Sequence, residues 1–352
     1  MAAMSTVSAP YIYVCTRMRV RKASLIPREE YLRMLNMSLP EITRIIEETA
    51  YKQEIDELGT TFKGIDLIEV ALSWNLAKEY QKILEITPGT LKQFTRAYLR
   101  RWDIQNVLTI LRGKFQGEKA GKIKEILVPA GSLDRVALDR MLAEESTDRI
   151  IDMLKGHRMY PVIAREYPAA KESGSFSHME NDLYKQFYQE IIVDAESGIK
   201  GGNLFLDFIR LDINIKNVKT LFRLRADGSG TDAREMHIPG GDLSATDFTA
   251  LNAIRDQGEF VDTLKAKIRS KPILSLLEEM KGDAPVHRDM EVRLTRVQLE
   301  QMEKLSKRNP FSIYPILVYL EKKKYEVFNL RALARGKESK LPSETIREYL
   351  VM

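Results

Sequence analysis

Few residues of this chain have the type and spacing that a catalytic or metal-binding site requires. The stretch Gly117 to Ile123 resembles a phosphate-binding loop, but it is one residue short and has Ile123 where Ser or Thr would bind Mg²⁺. We therefore expect a flexible basic loop there. The histidines lie far apart, and no two have the spacing of a metal-binding pair: His157, His178, His237 and His287.

No Ser/His/Asp or Cys/His set can be assembled from the sequence, and the adjacent carboxylates fall on helical stretches, where a solvated face is the ordinary interpretation. Cys15 is the only cysteine, so an intrachain disulfide or a thiolate zinc cluster is excluded and a reducing compartment is expected. The sequence thus predicts a protein that is not an enzyme and has neither a cofactor nor a metal.

The composition is typical of a soluble helical protein. Of the 352 residues, 44% are hydrophobic, enough for a sizeable core, and 30% are charged. The net charge of +5 is mild and spread out, which permits acidic partners or an anionic membrane surface without favouring nucleic acid. No apolar run approaches the ~18 residues of a membrane span, and no signal peptide is expected at the amino terminus.

The remaining candidates are three arginines that end three copies of one motif, at Arg112, Arg223 and Arg335. Each copy reads Asp/Asn/Glu, Ile/Val, any residue, Asn, Val/Leu, any residue, Thr/Ala, Ile/Leu, any residue, Arg. The arginines have two possible roles. They can satisfy the dipole and the carbonyl groups at helix C-termini, or they can form a shared inner surface that binds an acidic partner.

An asparagine anchors each copy of the motif. Asn106, Asn217 and Asn329 are 111 and 112 residues apart, and this near-constant period indicates three copies of one structural unit. Asparagine is a mediocre helix former and adds nothing to an apolar core. We expect each amide to hydrogen-bond the backbone of a neighbouring helix or loop; direct binding of a partner is the alternative.

The elements that must position these residues are helices. In the first copy, apolar residues recur at the i, i+3, i+4 and i+7 spacing of one helical face. Lys322, Lys323 and Lys324, just before the third motif, are interpreted as a solvated face. No convincing series of strands is present, and we predict an all-α fold of three related bundles. Each motif helix is expected to follow a long helix. The three expected pairs of long helix and motif helix are 65–86 with 90–112, 177–196 with 203–225, and 292–307 with 312–335.

A second landmark follows each motif helix. Val128-Pro129, Ile238-Pro239 and Leu341-Pro342 are the expected counterparts, which implies a shortened loop in the third unit. These landmarks divide the chain into an N-terminal basic segment and three helical repeats: 1–27, 28–130, 147–240 and 258–352.

These repeats resemble the C subunit of the A-type/V-type rotary ATP synthase, a relative of the d subunit of the vacuolar proton pump. The resemblance rests on the threefold Asn–Arg motif, on Trp102 to Val107 and on Leu111 to Lys114, and it covers essentially the whole chain. The second copy departs from it with Leu224 where Gly113 and Gly336 stand. The N-terminal resemblance lies in a Tyr/Arg-rich start: Tyr11, Tyr13, Arg17, Arg19 and Arg21.

The resemblance implies a funnel of three helical bundles about a pseudo-three-fold axis. Such a protein is a non-catalytic rotor part of a proton-translocating ATP synthase, peripheral to the cytoplasmic face of the cell membrane. It couples the membrane proteolipid ring to the central shaft and transmits torque for ATP synthesis, without binding nucleic acid. The alternative from another class is an α-helical repeat scaffold that binds a cytoplasmic protein or nucleic acid; an enzyme is the third hypothesis.

Overall fold

The computed structural model describes residues 9–227, 232–279 and 287–352. Within these ranges all regular structure is helical, which confirms the predicted all-α class. The helices are α1 Ala9–Ala23, α2 Arg28–Met34, α3 Leu39–Glu47, α4 Lys52–Leu58, α5 Gly64–Ile86, α6 Gly89–Leu99, α7 Arg101–Phe115, α8 Ala120–Ile126, α9 Arg135–Ala143, α10 Thr147–Met153, α11 Tyr160–Ser173, α12 Ser177–Glu196, α13 Gly202–Asp227, α14 Ala233–Met236, α15 Ala245–Ala253, α16 Gln257–Lys267, α17 Lys271–Glu279, α18 His287–Arg308, α19 Tyr314–Glu338 and α20 Ser343–Tyr349.

The three predicted pairs of long helix and motif helix are present as α5 with α7, α12 with α13, and α18 with α19. The first motif helix is shorter than expected. The backbone is interrupted at Arg100, so the stretch predicted as one helix forms α6 and α7. Parts of the proposed repeats and of the N-terminal segment lie outside the described residues, namely 1–8, 228–231 and 280–286.

The motif helices also contact the unit that follows in the chain. Helix α7 packs against α12, α13 packs against α18, and α19 packs against α5, back at the first unit. The contacts between units therefore form a closed cycle, and α13 and α19 are each held between two long helices.

The N-terminal helix α1 joins the first and third units. It packs along α19, where the Cys15 thiol donates to the Ser312 carbonyl oxygen over 3.4 Å and Arg19 donates to the Pro310 carbonyl oxygen over 2.9 Å. Two ion pairs anchor its C-terminal end, Arg21 with Glu79 of α5 and Lys22 with Glu303 of α18. The part of the predicted basic segment that the structure describes thus contains a docked helix.

The proposed counterpart of Val128-Pro129 in the third unit was wrong. Asn106 pairs with Val128, 22 residues later, and Asn329 pairs with Val351, also 22 residues later. Leu341-Pro342 instead precedes α20, which crosses α19 where Gly336 leaves room for Ile346, as α8 crosses α7 at Gly113. The third unit consequently retains the full segment between its asparagine and the paired valine.

Candidate partner-binding site

Each motif asparagine makes the same pair of hydrogen bonds. The Asn106 amide donates to the Val128 carbonyl oxygen over 2.7 Å and accepts from the Val128 N–H over 2.9 Å. Asn217 makes both bonds to Ile238, at 2.8 and 3.0 Å, and Asn329 both to Val351, at 2.8 Å each. All three asparagines are buried. Their amides satisfy the backbone of the returning segment, because a buried peptide group without a partner is costly.

Two of the three motif arginines form ion pairs between units. Arg112 Nη2 lies 2.6 Å from Glu180 Oε2 of α12. Arg335 Nη2 lies 3.0 Å from Glu69 Oε2 of α5, and Arg335 Nε also contacts this carboxylate. Both arginines are partly solvent-exposed, so each pair contributes about 0–1 kcal/mol. These partners on another unit give the arginines a role that neither sequence interpretation included.

Arg223 has a different environment. Its side chain is exposed, and it forms no ion pair with a carboxylate in the described parts of the chain. Glu69, Glu180 and Glu291 recur at intervals of 111 residues, and Arg223 and Glu291 line the same cavity. Arg223 therefore stands at the interface between the second and third units with its guanidinium directed to an open surface.

A buried polar cluster connects the three motif helices. Arg101 of α7 donates to Asp212 Oδ2 of α13 over 2.6 Å, and its Nη1 lies 3.4 Å from Glu321 Oε1 of α19. Asp212 also accepts from the Tyr188 hydroxyl and the Gln298 amide, each over 2.7 Å. This cluster joins all three units, and burial leaves its side chains few partners other than one another.

The charges of this cluster are maintained by one another. Burial alone would raise the pKa of Asp212, but Arg101 and the Tyr188 hydroxyl hold it below its usual value. Burial raises the pKa of the Tyr188 hydroxyl, and the Asp212 charge raises it further. The cluster is therefore an ionised carboxylate compensated by a guanidinium and by neutral donors.

This cluster was missed from the sequence, although a signal for it was present. Arg101 and Asp212 are 111 residues apart, the repeat period, and Lys324 occupies the corresponding place in the third unit, each five residues before its asparagine. Lys324 pairs with Glu321. The interpretation of Lys322 to Lys324 as a solvated face was wrong, because Lys323 is only 1% exposed and pairs with Glu326 over 2.7 Å.

Beside the buried cluster lie two adjoining cavities, of about 460 and 470 Å³. Their walls share Trp102, Gln105 and Phe328, and together we call them the basin. Arg223 lines the first cavity and Arg335 the second, while Arg112 reaches the basin only through its partner Glu180. All three motif helices contribute side chains to the basin, which makes it the main candidate for binding.

One lysine in the basin has an unusual environment. Lys216 Nζ lies 3.0 Å from the centre of the Tyr184 ring. Burial lowers the pKa of Lys216 to about 7, and the nearby Arg101 charge acts in the same direction, against Glu180 and Asp212. An acidic group entering the basin would favour the protonated amine.

One group in the structure brings a serine, a histidine and an aspartate together. Ser132 Oγ donates to Asp103 Oδ2 over 2.7 Å and lies 3.0 Å from His157 Nε2. The imidazole does not stand between the carboxylate and the serine, as a catalytic triad requires. Asp103 also accepts from the Ser132 and Leu133 N–H groups, and the adjoining cavity is only about 30 Å³. The geometry is that of a buried carboxylate that organises a turn.

The stretch Gly117 to Ile123, which resembles a phosphate-binding loop, is helical in its second half. Ala120–Ile126 forms α8, and Lys122 Nζ lies 2.6 Å from Asp66 Oδ1 on α5. The expectation of a flexible basic loop was therefore wrong for this part. Among the described residues no cluster of histidine, cysteine and carboxylate groups could hold a metal ion. None of the described helices has the length and apolar character needed to cross a bilayer.

Comparison with known proteins gives a family match over nearly the whole chain. The sequence profile of the ATP synthase (C/AC39) subunit family matches residues 14–349. The chain belongs to this family. Similar proteins named as the C subunit of A-type ATP synthase include one from Methanococcoides burtonii, 38% identical over 98% of this chain and 95% of its own length. Others come from Methanosarcina acetivorans, 36% identical over 97% and 93%, and Archaeoglobus fulgidus, 34% identical over 98% and 97%.

Membership in the C/AC39 family confirms the resemblance inferred from the sequence. The matched range begins within α1 and ends at the last residue of α20, so it includes the three motif helices and the basin. All the residues that line the basin consequently lie within the range that the family profile matches.

Proposed function

We propose that this protein is a non-catalytic rotor subunit of a proton-translocating A-type ATP synthase, peripheral to the cytoplasmic face of the cell membrane. It couples the membrane proteolipid ring to the central shaft and transmits torque for ATP synthesis. Family membership supports the assignment, together with relatives that are named as the C subunit of A-type ATP synthase and align over nearly their whole length.

The proposed shape is a funnel of three bundles about a pseudo-three-fold axis, with the boundaries 28–130, 147–240 and 258–352. The cyclic contacts between units support it, since each motif helix packs on the long helix of the next unit. Arg101, Asp212 and Lys324 also support it, because residues at corresponding repeat positions gather in one place where three related helices surround an axis. A rotor subunit that transmits torque must resist shear between its bundles, and the buried cluster joins the three bundles near the proposed axis.

The observation that carries the proposal is the basin. Its walls come from all three motif helices, and its lining combines cations, carboxylates and aromatic side chains, of which Phe328 is exposed. Such a mixture suits the end of a helical shaft better than a small substrate, because protein interfaces combine aromatic anchors with a polar rim. We place the foot of the shaft in the basin and the proteolipid ring on another face of the protein.

The test is a binding experiment with separated partners. The purified protein is incubated with the detergent-solubilised proteolipid ring and, separately, with the shaft proteins. We expect both to be captured, with no ATP hydrolysis by the protein alone. Capture of neither partner would contradict the rotor assignment. Tight, salt-sensitive binding of an oligonucleotide would instead favour the repeat-scaffold alternative.

A further inference from the structure

The three walls of the basin are chemically unequal. Lys216, Lys219 and Arg223 follow one another along α13 at the i, i+3 and i+7 spacing of one helical face, over about 10 Å. We call these three residues the cationic stripe. Corresponding repeat positions in the first unit hold Gln105, Leu108 and Arg112, of which Leu108 is buried and Arg112 is paired.

The stripe has no carboxylate partner among the described residues. Lys219 Nζ contacts the Thr295 hydroxyl at 2.6 Å, a neutral group, and Lys216 lies over the Tyr184 ring. Arg223 is exposed. Lys219 and Arg223 are cations, and an anionic ligand that entered beside them would also favour the protonated form of Lys216, whose pKa burial lowers to about 7.

The other walls are aromatic. Trp102 of α7 and Phe328 of α19 line both cavities of the basin, and Phe328 is 46% exposed. Large exposed aromatic side chains beside charged groups are typical of protein interfaces. The occupant therefore needs one acidic side and one apolar side.

A polyanion fits this basin less well than a protein helix. The carboxylates of Glu180 on α12 and Glu291 on α18 line the same cavity as the stripe and would repel the phosphates of a nucleic acid. A helix can instead place its acidic residues toward α13 and its basic or apolar residues toward the remaining walls.

We propose that the basin binds an amphipathic helix whose acidic face lies against the cationic stripe of α13 and whose apolar face lies against Trp102 and Phe328. This inference rests on the proposed function, in which the helix belongs to the central shaft. Although the bundles are related, the second unit then contributes most of the electrostatic attraction, and the shaft can enter in one orientation only.

The test compares three variants of the full chain for binding to the purified shaft proteins. In the stripe variant, Lys216→Gln, Lys219→Gln and Arg223→Gln copy the neutral amide found at Gln105. A control variant, with Arg149→Gln, Lys200→Gln and Lys271→Gln, removes the same number of basic side chains from residues that do not line the basin. Phe328→Ser tests the apolar wall separately.

We expect the stripe variant to bind the shaft about 30-fold more weakly or worse at low salt, since breaking desolvated charge pairs has at least this effect. The difference should shrink at high salt, the control should bind like the wild type, and Phe328→Ser should weaken binding at both salt concentrations. Arg223→Gln alone, at an exposed site, should weaken it about two- to fivefold, which gives a measurement that does not depend on the buried part of the stripe.

Two results would overturn the proposal while leaving the rotor assignment intact. One is shaft binding by a folded stripe variant with wild-type affinity and salt dependence. The other is an equal loss for the stripe and control variants, which would show a nonspecific charge effect. If the wild type itself bound no shaft, the proposed function and this inference would both fail.

Discussion

Replacing Asn106 by leucine tests whether the repeated asparagine is a structural requirement. The substitution removes both hydrogen bonds to Val128 while keeping a side chain of similar size. The Val128 N–H is then left without a partner, which costs about 1–3 kcal/mol. The Val128 carbonyl oxygen keeps the Ala130 N–H over 2.8 Å and loses only one of its two bonds, worth about 0.5–1.5 kcal/mol. The added apolar burial returns about 1–2 kcal/mol. We expect Asn106→Leu to lower the free energy of unfolding by about 1–2 kcal/mol.

Urea unfolding followed by far-ultraviolet circular dichroism measures the effect. Thr109→Leu, at a half-buried site on the same helix, is the matched control and should change stability by no more than about 0.5 kcal/mol. A loss for Asn106→Leu that equals the control would refute the reasoning, because Val128 would then have no need of the amide.

Three further predictions concern titratable groups. Arg101→Met leaves the buried Asp212 charge unpaired and should destabilise by about 3–5 kcal/mol in urea unfolding; a loss below about 1 kcal/mol would mean that water replaces the guanidinium. The pKa of Lys216 is about 7 in the folded protein and about 10.4 in the unfolded chain. Between these values the unfolded state binds more protons than the folded state, so wild-type stability should rise from pH 7 toward pH 10. Lys216→Met should flatten that rise, and equal slopes would contradict it. Burial raises the pKa of the Cys15 thiol to about 11, so a thiol reagent should label it rapidly only after denaturation.

The sequence determined the helical class and the place of each motif helix. The helical class follows from patterns within one helix, such as the apolar spacing around Ile104 and Val107. The places of the motif helices follow from the repeated asparagine, whose period can be read from the sequence without any knowledge of contacts. It also indicated that the asparagines serve the backbone, since an amide has few other uses on a buried helical face.

Only the tertiary structure decided which groups meet across the units. Arg335 pairs with Glu69, 266 residues away, and Arg101 pairs with Asp212, 111 residues away. Charge patterns within one helix cannot show such pairings, so the motif arginines were assigned to helix ends or to a partner. Lys323 was assigned to solvent although its partner Glu326 lies on the same helix, because only the packing of α19 against Tyr51 buries the pair. The basin likewise depends on the faces that three helices turn toward one another, a property of their packing that the linear spacing of residues does not contain.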